Sequence, residues 1–469
     1  MIRYLLLTFT VIVLVLETRA QAESWSLSPD QVIDRVLRFH PAAKRARLEI
    51  EKSKAELTRA RGWFDPYFST KVGAKTFDGS RYYEYTRPQL SVPTWLGVEL
   101  TAGLENLAGD RANPEDSKGK NNFLGLSVPL AKNLLMDKRR AALQQAKITT
   151  QLRETELRSL VNNLLNEALQ AYWNWVQRYR VSEILKQVVE ANERRLQFVK
   201  TSFVLGDRPA IDTAEALTQL QSFQLALNEA ELQRMNTALG LSVYLWSDED
   251  QPFDLPENTR PALQDQNALD ADLPDPDGVI KNHPDLQQYD QKLAGLRVDQ
   301  KLKFQSLLPE VNVEYNWLGK GYRLLKTPAA PLLENNYRYG LSIGIPLRFS
   351  EGRGEYRAAR LKLAQARLER DQKQREISNK MSIFRNTLAT LNGQLGLQRQ
   401  QLASFQALQR AEELRYQSGE SSLFLVNSRE TRTLEARQKL VEMETRFAQG
   451  KIAMRWIAGQ LPGDLSSPD

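Results

Sequence analysis

Two histidines occur in the 469 residues, and each stands before a proline: His40-Pro41 and His283-Pro284, 243 positions apart (40 to 283). Pro66 and Pro309 repeat that offset, so each His-Pro opens a helical stretch of one length, closed by an x-Pro boundary and followed by a strand-like run. Such spacing is the mark of a duplicated unit. Further on, Leu126-Ser-Val-Pro129-Leu130 matches Ile343-Gly-Ile-Pro346-Leu347 at an offset of 217 (129 to 346), continuing to Arg140-Ala-Ala against Arg357-Ala-Ala. Gly206 and Gly419 then correspond at 213 (206 to 419). The offset falls by about 26 between proline markers, so the first copy carries that many extra residues, all in its strand-rich part.

The boundaries follow. Residues 1–22 join a basic start (Arg3), an apolar run Leu5–Leu16 and the small-x-small triplet Ala20-Gln21-Ala22, the form of a secretory signal, so the mature chain is expected to begin near Glu23. The first repeat takes 23–246 and the second 278–461, with a tail at 462–469. Residues 247–277 hold ten acidic residues, five prolines and one arginine, a linker composition. No later segment approaches the roughly 20 apolar residues that a membrane-spanning helix needs.

Residue inventory narrows the chemistry. Cysteine is absent, which removes disulfides, thiolate metal sites and a lipid-acceptor thiol. No nucleophile motif or phosphate loop is present, and both histidines are explained as helix-boundary residues rather than a metal pair. Hence no catalytic residue, cofactor or metal is expected. The net charge of +7 reflects Lys and Arg alternating with Glu on helical surfaces, without a nucleic-acid-binding signature, so nucleic acid is not an expected partner.

Each copy reads as short helix, strands, very long helix, turn, medium helix. In the first copy these are about Pro29–Arg61, strands to Leu130, Lys138–Leu205 and Pro209–Trp246. In the second they are Gly278–Leu307, Glu310–Leu347, Arg353–Ser418 and Ser421–Gln460. Apolar residues recur on three- and four-residue steps along the long helix (Leu157, Leu160, Val161, Leu164, Leu165, Ala168, Leu169, Tyr172, Trp173, Val176). That stripe is wider than one coiled-coil seam and predicts neighbours on two sides. Gly206 and Gly419 are placed to end the long helices in the left-handed conformation, with Pro209 and Ser421 or Ser422 starting the next.

The strands alternate. Val311, Val313, Tyr315 and Trp317 share one face, and Glu310, Asn312, Glu314 and Asn316 the other. Trp95–Leu104, Phe68–Thr76, Phe123–Leu130 and Tyr339–Leu347 behave alike. Segments of about ten residues with one apolar and one polar face suit a transmembrane barrel, lipid outside and water within. Two strands fit the second copy and up to four the first, where Tyr82–Val92 reads as an edge or bend because Pro88 interrupts it. Six strands cannot close a water-filled barrel, so a cyclic oligomer is implied. The rival reading is a periplasmic coiled-coil adaptor or scaffold; the lipid-compatible strands argue against it.

The order of these features resembles the TolC-like family of outer-membrane efflux and secretion channels. Its carriers are Pro41 and Pro284, the strand ends Val128-Pro129-Leu130 and Ile345-Pro346-Leu347, and the turns Phe203–Asp212 and Tyr416–Leu425. The resemblance implies an α+β membrane protein: long antiparallel helices in a periplasmic α-barrel, and transmembrane strands contributing to a barrel shared by a homotrimer. It would be the exit duct of a tripartite efflux or type I secretion system, embedded in outer-membrane lipid and working with a periplasmic adaptor and an inner-membrane pump. The tip turns Gly206, Asp207, Arg208 and Gly419, Glu420, Ser421 would face the adaptor. Asp212 and Tyr416 match positions of the network that shuts the entrance. The chain departs where some relatives carry acidic residues, placing Leu425 and Ser428 there, and Ser421 replaces an arginine; Asp212 and Glu215 occupy the equivalent acidic positions of the first copy.

Overall fold

A computed structural model describes residues 25–110, 117–262, 276–322, 324 and 326–461. The signal segment, residues 263–275 of the linker and the tail lie outside them. The first copy runs β1 (Ser26–Leu27), α1 (Pro29–Phe39), α2 (Pro41–Arg61), β2 (Tyr67–Phe77), β3 (Ser80–Pro93), β4 (Glu99–Ala108), β5 (Gly119–Pro129), α3 (Lys138–Val204) and α4 (Ala210–Ser242). After β6 (Arg260–Pro261), the second runs α5 (Pro276–Asn282), α6 (Pro284–Gln305), β7 (Glu310–Lys320), α7 (Ala330–Leu333), β8 (Tyr337–Gly344), α8 (Ser350–Gln417) and α9 (Leu423–Ile457). The long helices have 67 and 68 residues and the medium ones 33 and 35, so the duplication reaches the level of elements.

The helix expected over Pro29–Arg61 is in fact two. Ser28 caps α1 through a reciprocal capping box with Gln31, and Pro29 fills the first helical position. At His40 the ring of Pro41 disfavours the helical conformation of the preceding residue, and ψ opens to 129°. His40 Nδ1 then accepts the Ala42 N–H at 3.1 Å and caps α2. His283 separates α5 from α6 in the same way, and its Nε2 donates to the Ile457 carbonyl at 3.1 Å.

The chain divides into two compact units. One comprises the residues through Arg45, Leu157–His283 and Arg375 onward. Its first core gathers Leu27, Val32, Val36, the 161–176 stripe of α3, Leu241, Leu245 and Ile452. Its second joins Leu185, Val188, Val189, Leu196 and Val199 of α3 to Leu220 and Phe223 of α4 and Leu423, Val426 and Leu434 of α9. The broad stripe therefore has neighbours on two sides, as its width requires. Polar bonds set the register: Gln170 and Gln449 each donate to the other's backbone carbonyl at 3.1 and 3.2 Å, and the Tyr172 hydroxyl donates to Leu27 O at 3.0 Å. The linker contributes β6, which pairs parallel to β1 (Ser26 with Arg260, Leu27 with Pro261).

The other unit, Ala46–Glu156 and Pro284–Gln374, holds one antiparallel six-stranded sheet in the order β2-β3-β4-β5-β7-β8. In the same unit α6 and α8 share a thin seam of Leu293, Leu363 and Ala366, flanked by the ion pairs Lys292–Glu369, Arg370–Asp290 and Lys373–Asp285 at 2.7 to 2.9 Å. Two sequence expectations are corrected. Tyr82–Val92 is no edge: β3 pairs on both sides, and Pro88 merely opens the β3–β4 ladder between Thr86–Asn106 and Gln89–Gly103. The strand expected from Trp95 starts at Glu99, because Thr94–Val98 closes a turn in which Gly97 has φ +84° and Thr94 N–H bonds Val98 O at 2.9 Å.

Candidate functional site: the helical turns and the strand wall

Both long helices end identically. Gly206 (φ +85°) lets its N–H reach Phe203 O and the Asp207 N–H reach Ser202 O. Gly419 (φ +80°) does the same with Tyr416 O and, through Glu420, Arg415 O. This is the Schellman termination, which needs a left-handed residue at the glycine. A Cβ would meet no atom within 4 Å at either glycine, so the constraint is conformational rather than steric. Gly419→Ala is expected to weaken the turn by about 1–2 kcal/mol. That should appear as faster amide hydrogen exchange across the turn; unchanged exchange would contradict the motif.

The two turns are tied together. Tyr416 is buried, its ring lies 4.1 Å from the Arg208 guanidinium, and its carbonyl accepts from Arg208 Nη2 at 2.9 Å. Its hydroxyl faces Asp212 Oδ2 at 3.4 Å. Burial raises the Tyr416 phenol above its ordinary value; the Arg208 charge opposes that rise and Asp212 adds to it, so the hydroxyl stays a neutral donor at physiological pH. Asp212 sits in the first turn of α4, where a negative charge suits the helix dipole. Glu215 Oε1 accepts from Asn427 Nδ2 at 3.2 Å, and Ser421 Oγ donates to Glu412 at 2.6 Å. Leu425 is exposed, Ser428 half-buried, and Asp207 and Glu420 are exposed. The structure thus brings Asp212, Tyr416 and Arg208 into one cluster and leaves Leu425 and Ser428 outside it.

The sheet has two chemically distinct faces, fixed by the strand registers. Phe68 faces Leu90, Leu100 faces Val92 and Leu126, Tyr315 faces Leu126 and Tyr339, and Val311 faces Ile343. On the same side, Tyr315, Trp317, Tyr337 and Tyr339 form a chain of ring contacts with centroids 4.7 to 6.4 Å apart. An apolar band bordered by aromatic side chains is the lipid-facing pattern of an outer-membrane barrel. The opposite side carries Lys71, Arg87, Glu105, Asn121, Glu314 and Asn316, alternate to the apolar set.

The chain matches the model of the outer membrane efflux protein family over residues 32–245 and 276–460. It belongs to that family. The two matched segments coincide with the two copies seen in the sequence. No curated protein sequence matches the chain. Among solved structures it is similar in fold to the transmembrane channel CusC (14% identity, 92% of this chain and 91% of that one, TM-score 0.67). It is also similar to the outer-membrane channel CmeC of Campylobacter jejuni (16%, 92% and 85%, 0.64) and to VceC of Vibrio cholerae (12%, 92% and 96%, 0.63). As an outer membrane efflux protein the chain is a channel component located in the outer membrane and extending into the periplasm, and the family is one of ducts rather than enzymes.

Sequence reasoning missed several residues of this efflux protein's tip. Arg195 grips Glu430 with two bonds at 2.6 and 3.1 Å, and Asn192 Nδ2 adds a third at 3.2 Å, linking α3 to α9. A signal existed: Asn192 interrupts the apolar series Val188, Val189, Leu196, Val199 at a core-facing step, and a buried polar group needs a partner. Arg208 was placed in the tip turn by the sequence, but as an adaptor-facing residue; its contact with Tyr416 was not foreseen.

Proposed function

We propose that three copies assemble as the exit duct of a tripartite efflux system, taking cargo from an inner-membrane pump through a periplasmic adaptor. The supporting observation is an unpartnered stripe: Leu225, Leu232 and Leu239 stand seven apart on α4 and are 71%, 46% and 63% exposed. Heptad spacing is what a packed neighbouring helix fills, and Leu361 and Leu368 repeat it on α8. A second copy supplies the neighbour, and cyclic closure leaves no stripe open.

In this assembly the turns at Gly206, Asp207, Arg208 and Gly419, Glu420, Ser421 meet the adaptor, beside the exposed side chains of Val204, Leu205, Ile211 and Phe424. Asp212 and Tyr416, with Arg208, hold the entrance shut by tying one copy of the repeat to the other. Leu425 and Ser428 give the second copy no carboxylate ring, and Glu215 is engaged by Asn427. Purified protein added to a planar lipid bilayer is expected to give discrete conductance steps; a bilayer that stays sealed would overturn the channel reading.

A further inference from the structure

We propose that the membrane wall of the assembled duct has eighteen strands, closed by pairing β8 of each copy with β2 of the next. The proposal rests on the threefold assembly and adds what the sheet itself dictates. All six strands belong to one wall. One apolar row crosses all six strands, Phe68, Leu90, Ala102, Leu124, Trp317 and Tyr337, and a second beside it runs Val92, Leu100, Leu126, Tyr315 and Tyr339 from β3 to β8. On the polar face Arg87 ties β3 to both following strands, with Glu105 at 4.0 Å and the ring of Phe123 at 5.1 Å. The hairpin formed by the first copy's extra residues is therefore part of the wall.

Two edges remain, β2 and β8. In lipid a backbone N–H or C=O without a partner is strongly unfavourable, so membrane sheets close on themselves. With an even number of strands, β2 and β8 run oppositely, and a β8–β2 junction continues the antiparallel order. Side chains at the edges are complementary. Inside the sheet Gly73 lies under Tyr85, Gly103 under Phe123, and Gly125 under Asn316 and Thr101, each glycine roofed by a bulky group of the next strand. Gly340, in the middle of edge strand β8, has nothing within 4 Å. Its polar face (Arg338, Gly340, Ser342, Gly344) leaves room for the long polar-face side chains of β2, Tyr67, Lys71 and Lys75. Three sheets of six strands give eighteen, a size that encloses a water-filled lumen.

The chain has no cysteine, which makes disulfide mapping clean. Ser342→Cys is combined with Ser69→Cys, Lys71→Cys or Lys75→Cys on β2, and separately with Thr101→Cys or Glu105→Cys on β4, in the full chain in outer membranes. Cross-linked dimers and trimers are expected on a non-reducing gel for one β2 register and for neither β4 pair. A trimeric particle that cross-links β8 to β4, or to neither strand, overturns the eighteen-strand wall while leaving the trimer standing. A monomeric particle in mild detergent overturns the trimer and the wall with it.

Discussion

Truncating Trp175 to alanine is expected to lower stability by about 3–5 kcal/mol, the range for deleting a large buried aromatic group. Trp175 is 1% exposed on α3 and packs in the core that α1, α3, α4 and α9 share. Its ring centroid lies 5.9 Å from that of Tyr172 and 6.1 Å from that of Tyr179. Tyr172 in turn holds Leu27 through its hydroxyl, so a cavity at Trp175 loosens the anchoring of the N-terminal segment as well. Its neighbours are long helices whose spacing is fixed by many other contacts, and they cannot collapse far into the gap. The test is the unfolding midpoint followed by circular dichroism in detergent, with Leu205→Ala, an exposed position, as reference. Equal shifts for the two variants would contradict the packing.

Tyr416→Ala, Asp212→Ala and Arg208→Ala are each expected to make the channel leak. Tyr416 meets the first copy's turn through its carbonyl, its ring and its hydroxyl, all directed at Arg208 or Asp212. A hydrogen bond of this kind contributes about 1 kcal/mol and a guanidinium over an aromatic ring about 0.5–1 kcal/mol at a partly exposed site. In the proposed trimer the contact occurs three times, so the open fraction is expected to rise severalfold, seen as larger conductance and greater sensitivity to bulky antibiotics. Tyr416→Phe keeps the ring and the carbonyl and should leak less than alanine. The phenol's ordinary value is near 10 and burial raises it further. A raised value in the folded state means that the hydroxyl's contribution is complete below about pH 10 and is lost as pH climbs through the raised value. Leakage that grew between about pH 6 and 8 would not come from this bond. Wild-type behaviour in all three alanine variants would remove the gate assignment and leave the fold untouched.

Much of this architecture was legible because it is periodic. The His-Pro and Pro-Leu markers fix a duplication, and a repeat with period-2 strands and long period-3.6 helices permits few arrangements. The ends of α3 and α8 were readable to a residue or two because glycine termination leaves a local signature. What escaped was non-local. Pro88 looked like the mark of an edge or a bend, yet a proline needs only one interrupted ladder, and β3 supplies it on the β4 side alone. Trp95 and Leu96 continued the alternation of β4 into a turn that only Gly97's positive φ reveals. At the tip, Asp212, Tyr416 and the turn residue Arg208 entered through family resemblance, while Arg208's hold on Tyr416 and the Arg195–Glu430 pair emerged only when helices distant in sequence came together. No periodicity encodes a pairing between residue 208 and residue 416.

The most direct test of the central claim is to separate the membranes of cells making this protein, extract it with mild detergent and weigh the native particle. An outer-membrane particle containing three copies is the expected result. A soluble monomer or dimer in the periplasm would mean that the apolar face of the sheet meets protein rather than lipid, and would contradict the duct.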